Sequence, residues 1–210
     1  MRNRQEAKES IIRQESRAIA RELKTHARVL GGFVAIMWIV ELVDIVIFDQ
    51  GLNRYGIWPH HREGLWGILF APFLHGGLSH LIANTIPFIT LGWFVMLQET
   101  SDFFIVTAIT MVVSGLGVWV FGLPNSHHIG ASSLIFGYLG FLLLRGYFER
   151  NFSSILLSII VGFLYGGAIW GVLPTVPGVS WEGHLFGFIG GILAARFLAK
   201  RKKQRAGIGN

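Results

Sequence analysis

The chain has 210 residues, of which 52% are hydrophobic and 14% are charged, and its mean hydropathy is +0.53. This composition excludes an ordinary soluble domain and predicts a polytopic membrane protein. The absence of cysteine excludes a disulfide framework and a thiolate metal site. The net charge of +6 comes from basic residues at the two ends rather than from a basic face studded with aromatic residues, so we expect no nucleic-acid partner.

The first segment, residues 1–28, is polar and basic, and Ile12, Ile19 and Leu23 fall near one helical face. This pattern is typical of a basic amphipathic helix on the inner leaflet, and equally of a solvated helix or a disordered tail. We expect a cytoplasmic segment over residues 1–28, a membrane domain over residues 29–199 and a basic cytoplasmic tail over residues 200–210.

Six apolar runs are long enough to be membrane spans, because about 20 apolar residues cross a hydrocarbon core about 30 Å thick. The predicted spans are Val29 to Phe48, Leu78 to Leu97, Phe103 to Phe121, Ser132 to Phe148, Ile155 to Leu173 and His184 to Ala199. Most lysine and arginine residues precede the first span or end the last, and only Arg54 and Arg62 fall on the opposite side. The positive-inside rule therefore predicts that both termini are cytoplasmic. The long segment from Asp49 to Phe73 is rich in tryptophan and phenylalanine, so we expect it to rest in the outer interface.

The spans that enter from the outside all begin with polar residues, namely His80 and Asn84, then Ser132, then His184. With a rise of about 1.5 Å per residue, Ser132, Asn84 and His184 each lie about 20 Å from the cytoplasmic end of their span. They therefore share one layer near the outer surface. Polar groups at membrane depth are expensive and face a partner or a wet cavity, so these residues are candidate partners.

Ser132 follows Gly130 at the start of its span, where a serine is either a helix cap or a nucleophile. A serine nucleophile needs a base, and His184 supplies one. His184 lies near a helix face made thin by Gly187 and Gly191, which favours close packing on the neighbouring span. The alternative is an ordinary glycine-packed helix with a capping histidine.

His80 and Asn84 are four residues apart and therefore point the same way on their helix. An imidazole and an amide N–H₂ aimed at Ser132 are the donors that a tetrahedral oxyanion needs. Interhelical hydrogen bonding by a buried histidine and asparagine is the alternative.

Together these motifs resemble those of the rhomboid intramembrane serine proteases: His80-x-x-x-Asn84, Gly130-x-Ser132, and His184-x-x-Gly187-x-x-x-Gly191, in order on alternate spans. The resemblance implies an all-α bundle of six transmembrane helices, with Ser132 as nucleophile and His184 as general base and acid. It also implies that Asn84, His80 and the Ser132 N–H stabilise the oxyanion. No cofactor is implied. The implied substrates are transmembrane segments with small residues at the cleavage site, and they enter the protein past the fifth helix. We expect the membrane to be a bacterial plasma membrane.

The sequence departs from the family pattern at three positions. Ser133 stands where the family most often has glycine, Gly67 where many members have arginine, and Phe136 where a tyrosine often packs on the catalytic histidine. Phe136 keeps an aromatic surface for His184.

Other polar residues carry weaker signals. Glu41 and Asp44 in the first span invite a functional hypothesis, although carboxylates near the interface are often wetted. His75, His127 and His128 suggest a metal site, but no carboxylate ligand accompanies them, and loop histidines facing solvent are the simpler interpretation. We therefore expect no metal.

Two other functions remain to be weighed against a protease. A catalytically inactive rhomboid-like protein would bind membrane clients without hydrolysis. A small membrane transporter would use the same polar layer as part of a pathway, and would need polar residues through the inner half of the spans as well.

Overall fold

The computed structural model describes residues 2–175 and 178–207, and its architecture is helical. The α-helices are α1 (Arg2–Val43), α2 (Gly67–Phe70), α3 (Leu78–Met96), α4 (Thr100–Phe121), α5 (Ser132–Glu149), α6 (Phe152–Tyr165) and α7 (Trp181–Arg205). A π-helical turn, Asp44–Phe48, ends α1, and 3₁₀ segments cover Gly51–Tyr55, Arg62–Leu65, Ala71–Phe73 and Gly166–Val172. The segment predicted to rest in the outer interface is thus a series of short helical turns.

Among the described residues, four stretches are long and apolar enough to cross a membrane: Ile11–Phe48, Leu78–Met96, Thr100–Phe121 and Phe152–Val172. They agree with four of the six predicted spans. The other two predicted spans form α5 and α7, which pack on each other and on α4. A helix surrounded by other helices needs less apolar surface than one facing lipid, so hydropathy alone does not identify these two as spans.

Two predicted spans are parts of longer helices. The predicted span His184 to Ala199 lies within α7, which continues through the basic tail to Arg205, and α1 runs without a break from Arg2 to Val43. Lysine, arginine, glutamate and glutamine are good helix formers, so a helix does not end where its apolar residues end. Residues 11–25 of α1 are exposed along their whole length.

Glycines allow α7 to lie directly against α5. A side chain at Gly187 would overlap the carbonyl of Ser133, and one at Gly191 would overlap the carbonyl of Gly137. Backbone-to-backbone contact of this kind requires small residues at the crossing. The helix contact predicted from the glycine spacing is therefore present, and it brings the start of α7 beside the start of α5.

Aromatic rings fill the core between α3, α4 and α5. Phe88, Phe103 and Tyr138 are fully buried, with ring centroids 5.5 to 6.2 Å apart. The Tyr138 hydroxyl lies 2.8 Å from the hydroxyl of Thr107, which satisfies its polar end.

A cluster of charged residues joins three helices at the end of the bundle where α5 finishes. Arg145 is 1% exposed, and its guanidinium contacts Asp102 of α4 at 2.9 Å and Glu149 of α5 at 3.0 Å. Lys202 of α7 reaches Glu149 at 3.1 Å. The sequence suggested only that Arg145 marks the cytoplasmic end of a span. The structure shows that it is buried, which is tolerable because its charge is paired.

Candidate active site

The four residues predicted to carry the chemistry line one cavity of about 650 Å³. Ser132 comes from the start of α5, His184 from the first turns of α7, and His80 and Asn84 from the start of α3. The cavity is also lined by the segment before Ser132 and by the segment that leads into α7. The residues that sequence reasoning assigned to one layer are therefore brought together.

Ser132 is the first helical residue of α5, and the N-cap position before it belongs to Ala131, which makes no side-chain capping bond. Gly130 has a φ of +106°, a conformation that glycine adopts without strain, and its N–H donates to the carbonyl of Ala71 at 2.8 Å. The first hydrogen bond of α5 runs from the N–H of Ile135 to the carbonyl of Ala131. The Ser132 N–H thus belongs to the first turn, where backbone donors have no acceptor in the helix.

His184 is held on two sides. Its Nδ1–H donates to the carbonyl of Gly171 at 2.8 Å, and its ring stacks on Phe136 with centroids 4.1 Å apart and planes 8° from parallel. A carbonyl can only accept, so in the neutral ring the proton is on Nδ1 and Nε2 carries a free lone pair. In the described part of the chain, this ring and the Ser132 hydroxyl line the cavity together without a hydrogen bond joining them.

His80 and Asn84 present N–H groups near Gly130. The His80 Nδ1 accepts from the N–H of Gly76 at 3.3 Å, so in the neutral ring Nε2 carries the proton and is a donor. The Asn84 Nδ2 is buried and has no hydrogen-bond partner among the described residues. A methyl group at Gly130 would lie 2.7 Å from the His80 Nε2 and 3.4 Å from the Asn84 Nδ2. Both donors therefore converge on the peptide segment that leads into Ser132.

The departures from the family pattern have local explanations. Phe136 provides the aromatic surface on which His184 stacks. Ser133 lies in the first turn of α5, and its backbone is in contact with Gly187. At Gly67 a side chain would overlap the backbone of Gly56, so no larger residue fits there without moving the loop.

Two predictions about the weaker polar residues are wrong. His75 does not face solvent: it is fully buried, and burial together with the neighbouring His80 lowers its pKa to about 4. Glu41 and Asp44 are not wetted. The Glu41 Oε1 accepts from the N–H of Gly77 at 2.8 Å, at the entrance to α3, and the Asp44 Oδ1 accepts from the N–H of Leu52 at 2.8 Å. These carboxylates anchor the backbone around the first span.

No group of three or more histidine, aspartate or glutamate side chains among the described residues has the geometry of a metal site. His127 is exposed, whereas His128 is half-buried and bonds to two serine hydroxyls. Sequence reasoning missed the contacts of His128 and the acceptor role of the Gly171 carbonyl. A main-chain carbonyl leaves no signal in a sequence, and a loop histidine reveals its partners only after folding.

Comparisons with known proteins identify the family to which the chain is similar. The family model described as the Rhomboid domain matches residues 62–201. A protein of Mycobacterium tuberculosis (strain ATCC 25618 / H37Rv) that is named as uncharacterized is 44% identical over an alignment of 183 residues, which covers 83% of this chain and 76% of that protein. An uncharacterized protein of Mycobacterium leprae (strain TN) is 43% identical over 183 residues, covering 83% of this chain and 72% of its own.

A plant protein extends the similarity beyond bacteria. RHOMBOID-like protein 7 of Arabidopsis thaliana is 31% identical over an alignment of 141 residues, which covers 63% of this chain and 42% of that protein. The family match spans most of the chain and includes the segments that bear Ser132 and His184. The protein is an integral membrane protein, and it belongs to the rhomboid family.

Proposed function

We propose that the protein is an intramembrane serine endopeptidase that cleaves transmembrane segments of other membrane proteins with a Ser132–His184 dyad. The observation that carries the proposal is the pattern of hydrogen-bond acceptors and donors around one cavity. The Nε2 of His184 has a free lone pair, while His80 and Asn84 direct N–H groups toward the peptide before Ser132. Acyl transfer requires an acceptor and a hydroxyl in the same cavity, together with N–H donors near the reacting carbonyl.

The reaction follows from these positions. The Ser132 hydroxyl attacks the scissile carbonyl while Nε2 of His184 takes its proton, and the resulting imidazolium then protonates the leaving amine. The oxyanion accepts hydrogen bonds from the Asn84 amide, the His80 Nε2–H and the N–H of Ser132. Water in the cavity then hydrolyses the acyl-enzyme, with His184 acting again as the base. The hydrogen bond between Ser132 and His184 forms as substrate binds, since such bonds are often long beforehand.

The bilayer setting fits the class of substrate. In the part of the chain that the structure describes, four helices are long and apolar enough to cross a membrane. The cavity lies at the ends of α3 and α5 that carry the polar layer. A peptide bond in a transmembrane helix becomes reachable where that helix unwinds, and we expect small residues there. The residues of the cavity complete the chemistry themselves, so no cofactor is part of the proposal.

The deciding experiment is covalent labelling of the purified full-length protein by a fluorophosphonate, together with cleavage of a reporter transmembrane substrate. Wild type should be labelled and active, while Ser132→Ala and His184→Ala should lose labelling and at least about 10³-fold of the cleavage rate. Ser133→Ala, one residue further along α5, is the matched control and should keep both. Cleavage by Ser132→Ala would overturn the proposal.

The same experiment separates the other functions. A client-binding protein without activity would retain the reporter segment but would neither cleave it nor take the label. A transporter would need a polar route from the cavity inward, and the stacked rings of Phe88, Phe103 and Tyr138 occupy the core that such a route would cross.

A further inference from the structure

The segment before Ser132 is tied to the start of α7 through the side chain of His128. The His128 Nδ1 lies 2.6 Å from the hydroxyl oxygen of Ser180, and its Nε2 lies 2.9 Å from that of Ser126. The backbone of His128 is itself fixed, because its N–H and carbonyl both pair with Ile57, at 2.9 and 3.0 Å. His128 is thus a rigid bridge between two parts of the cavity wall.

The direction of each hydrogen bond in this bridge can be deduced. The Ser126 hydroxyl lies 2.6 Å from the carbonyl of Leu123, which can only accept, so the serine proton points there. The Ser126 oxygen must then accept from the Nε2–H of His128. In the neutral ring Nδ1 is therefore unprotonated and accepts the O–H of Ser180, whose oxygen in turn accepts from the N–H of Gly183 at 3.3 Å.

The charge state that this pattern requires agrees with the surroundings of His128. Burial lowers the pKa of its ring, and His127 acts in the same direction, while Glu182 acts in the opposite one. The ring is neutral at neutral pH, as the deduced bonds demand.

The two ends of the bridge stand close to the proposed catalytic pair. At one end of the bridge, His128 lies four residues before Ser132 in the chain. At the other end, the carbonyl of Ser180 accepts from the N–H of His184 at 3.2 Å. The Ser180 hydroxyl also caps α7. One side chain therefore joins the chain segment before the nucleophile to the turn that carries the base.

We propose that His128 is a positioning residue: through its hydrogen bond to Ser180 it holds the first turn of α7, and with it His184, at the distance from Ser132 that proton transfer needs. This inference rests on the proposed function. Its physical basis is the steep dependence of proton transfer on geometry, where a displacement of about 1 Å can lower a rate about 10²-fold.

Two substitutions separate the contacts of the ring. An asparagine amide occupies the place of Nδ1, whereas a glutamine amide reaches the place of Nε2. His128→Asn therefore keeps a partner for Ser180, and His128→Gln keeps one for Ser126. For the full-length protein cleaving a reporter substrate, we expect kcat of His128→Asn within about threefold of wild type, and a loss of about tenfold or more for His128→Gln. KM should change less than about twofold in both, because the bridge positions the base rather than binding substrate.

Ser126→Ala is the matched control, since it removes the other contact of the ring, and it should keep kcat within about threefold. Equal kcat values for His128→Asn and His128→Gln, or an effect on KM alone, would overturn the inference.

A readout independent of activity keeps this test separate from the proposed function. Amide hydrogen exchange at Gly183 and His184 should be faster in His128→Gln than in His128→Asn, whether or not the protein hydrolyses peptides. If the wild type is inactive but exchange is faster in His128→Gln than in His128→Asn, the proposed function alone is contradicted. Unchanged exchange in both variants would contradict the positioning role.

Discussion

At the scale of single residues, the most informative group is the side-chain amide of Asn84. It is 6% exposed, and its Nδ2 lacks a partner among the described residues. A buried donor without an acceptor costs about 1 to 3 kcal/mol, so the group destabilises the fold unless a ligand uses it. Asn84 lines the same cavity as Ser132, so an oxyanion formed there can accept from this amide.

Replacing Asn84 by alanine should therefore separate activity from stability. We expect kcat for a reporter substrate to fall about 10²- to 10³-fold, the loss typical of one oxyanion donor, while the melting temperature in detergent changes by a few degrees at most. Thr90→Ala, also in α3, is the control, because the Thr90 hydroxyl bonds to the carbonyl of Ile86 in its own helix. A fall in melting temperature that parallels the loss of rate would instead assign Asn84 a structural role.

The lowered pKa of His75 predicts that the stability of the protein depends on pH. Its pKa of about 4 in the folded protein lies below the ordinary value of 6.5, so between these pH values the unfolded chain binds a proton that the folded chain excludes. Its contribution to stability is therefore complete above pH 6.5 and is lost as the pH falls toward 4. The expected loss between pH 7.5 and pH 5 is about 2 kcal/mol.

The measurement is the free energy of unfolding in mixed micelles at the two pH values, for wild type and for His75→Phe. The phenylalanine ring has a similar shape and cannot be protonated, so the pH dependence of the variant should be smaller by about 2 kcal/mol. An identical pH dependence in both proteins would assign the effect to other groups.

The residues of the site were predictable from the sequence to a large extent, because the properties that identify them are local. Ser132, His184 and Asn84 each lie near the start of an apolar run, and counting residues from the cytoplasmic ends predicts a common depth for them. The groups that orient them were not predictable. The carbonyl of Gly171 and the hydroxyl of Ser180 act through positions that only the folded chain defines.

At the scale of elements, the crossing of α5 and α7 is the contact on which the site depends. A methyl group at Gly191 would overlap the carbonyl of Gly137 and lie 2.7 Å from the N of Phe141. The backbone of a helix cannot move away from such a group without moving the whole helix. The sequence predicts this contact because paired glycines four residues apart have few other uses in a membrane helix.

Gly191→Ala should therefore destabilise the protein by about 1 to 3 kcal/mol, the usual cost of overpacking, and should lower kcat as α7 shifts. Gly162→Ala in α6 is the matched control, because its added methyl group would lie 3.5 Å from Leu143, an ordinary contact. Gly162→Ala should leave the free energy of unfolding unchanged or raise it, since alanine is a better helix former than glycine. Unfolding in mixed micelles measures both, and equal stability of the two variants would contradict the expected role of Gly191.

The ends of α1 and α7 show where apolar patterns fail to define an element. Hydropathy marks the part of a helix that lies in lipid, whereas hydrogen bonding and helix propensity determine how far it continues. Both helices run on through charged residues, to Arg2 and to Arg205. Span prediction was therefore accurate for α3 and α4, which end close to their apolar residues.

At the scale of the whole molecule, the orientation in the membrane remains a prediction of the distribution of basic residues. The absence of cysteine makes it testable, because a single introduced cysteine is the only thiol in the protein. Ser16, Glu63 and Gln204 are exposed and suit this purpose. An impermeant maleimide should label Glu63→Cys in intact cells, and should label Ser16→Cys and Gln204→Cys only after permeabilisation.

Each result has a distinct meaning. The reverse pattern would invert the orientation, and labelling of Ser16→Cys and Gln204→Cys from opposite faces would mean an odd number of spans. The expected pattern would support cytoplasmic termini and an even number of spans, with the polar cavity near the outer face.

The hydrogen bond from His184 to the carbonyl of Gly171 sets the tautomer of the proposed base by the path of the main chain. In a serine protease triad a carboxylate has this role, and one substitution can delete it. Here no substitution deletes the acceptor, so the proton on Nδ1 is protected from point mutation. The position of this proton depends instead on the backbone conformation of the 3₁₀ segment Gly166–Val172, which continues directly from α6. A displacement of that segment would release the ring and permit the other tautomer, in which Nε2 cannot accept the serine proton. The competence of the base is thus coupled to the packing of a neighbouring helix rather than to the identity of a residue.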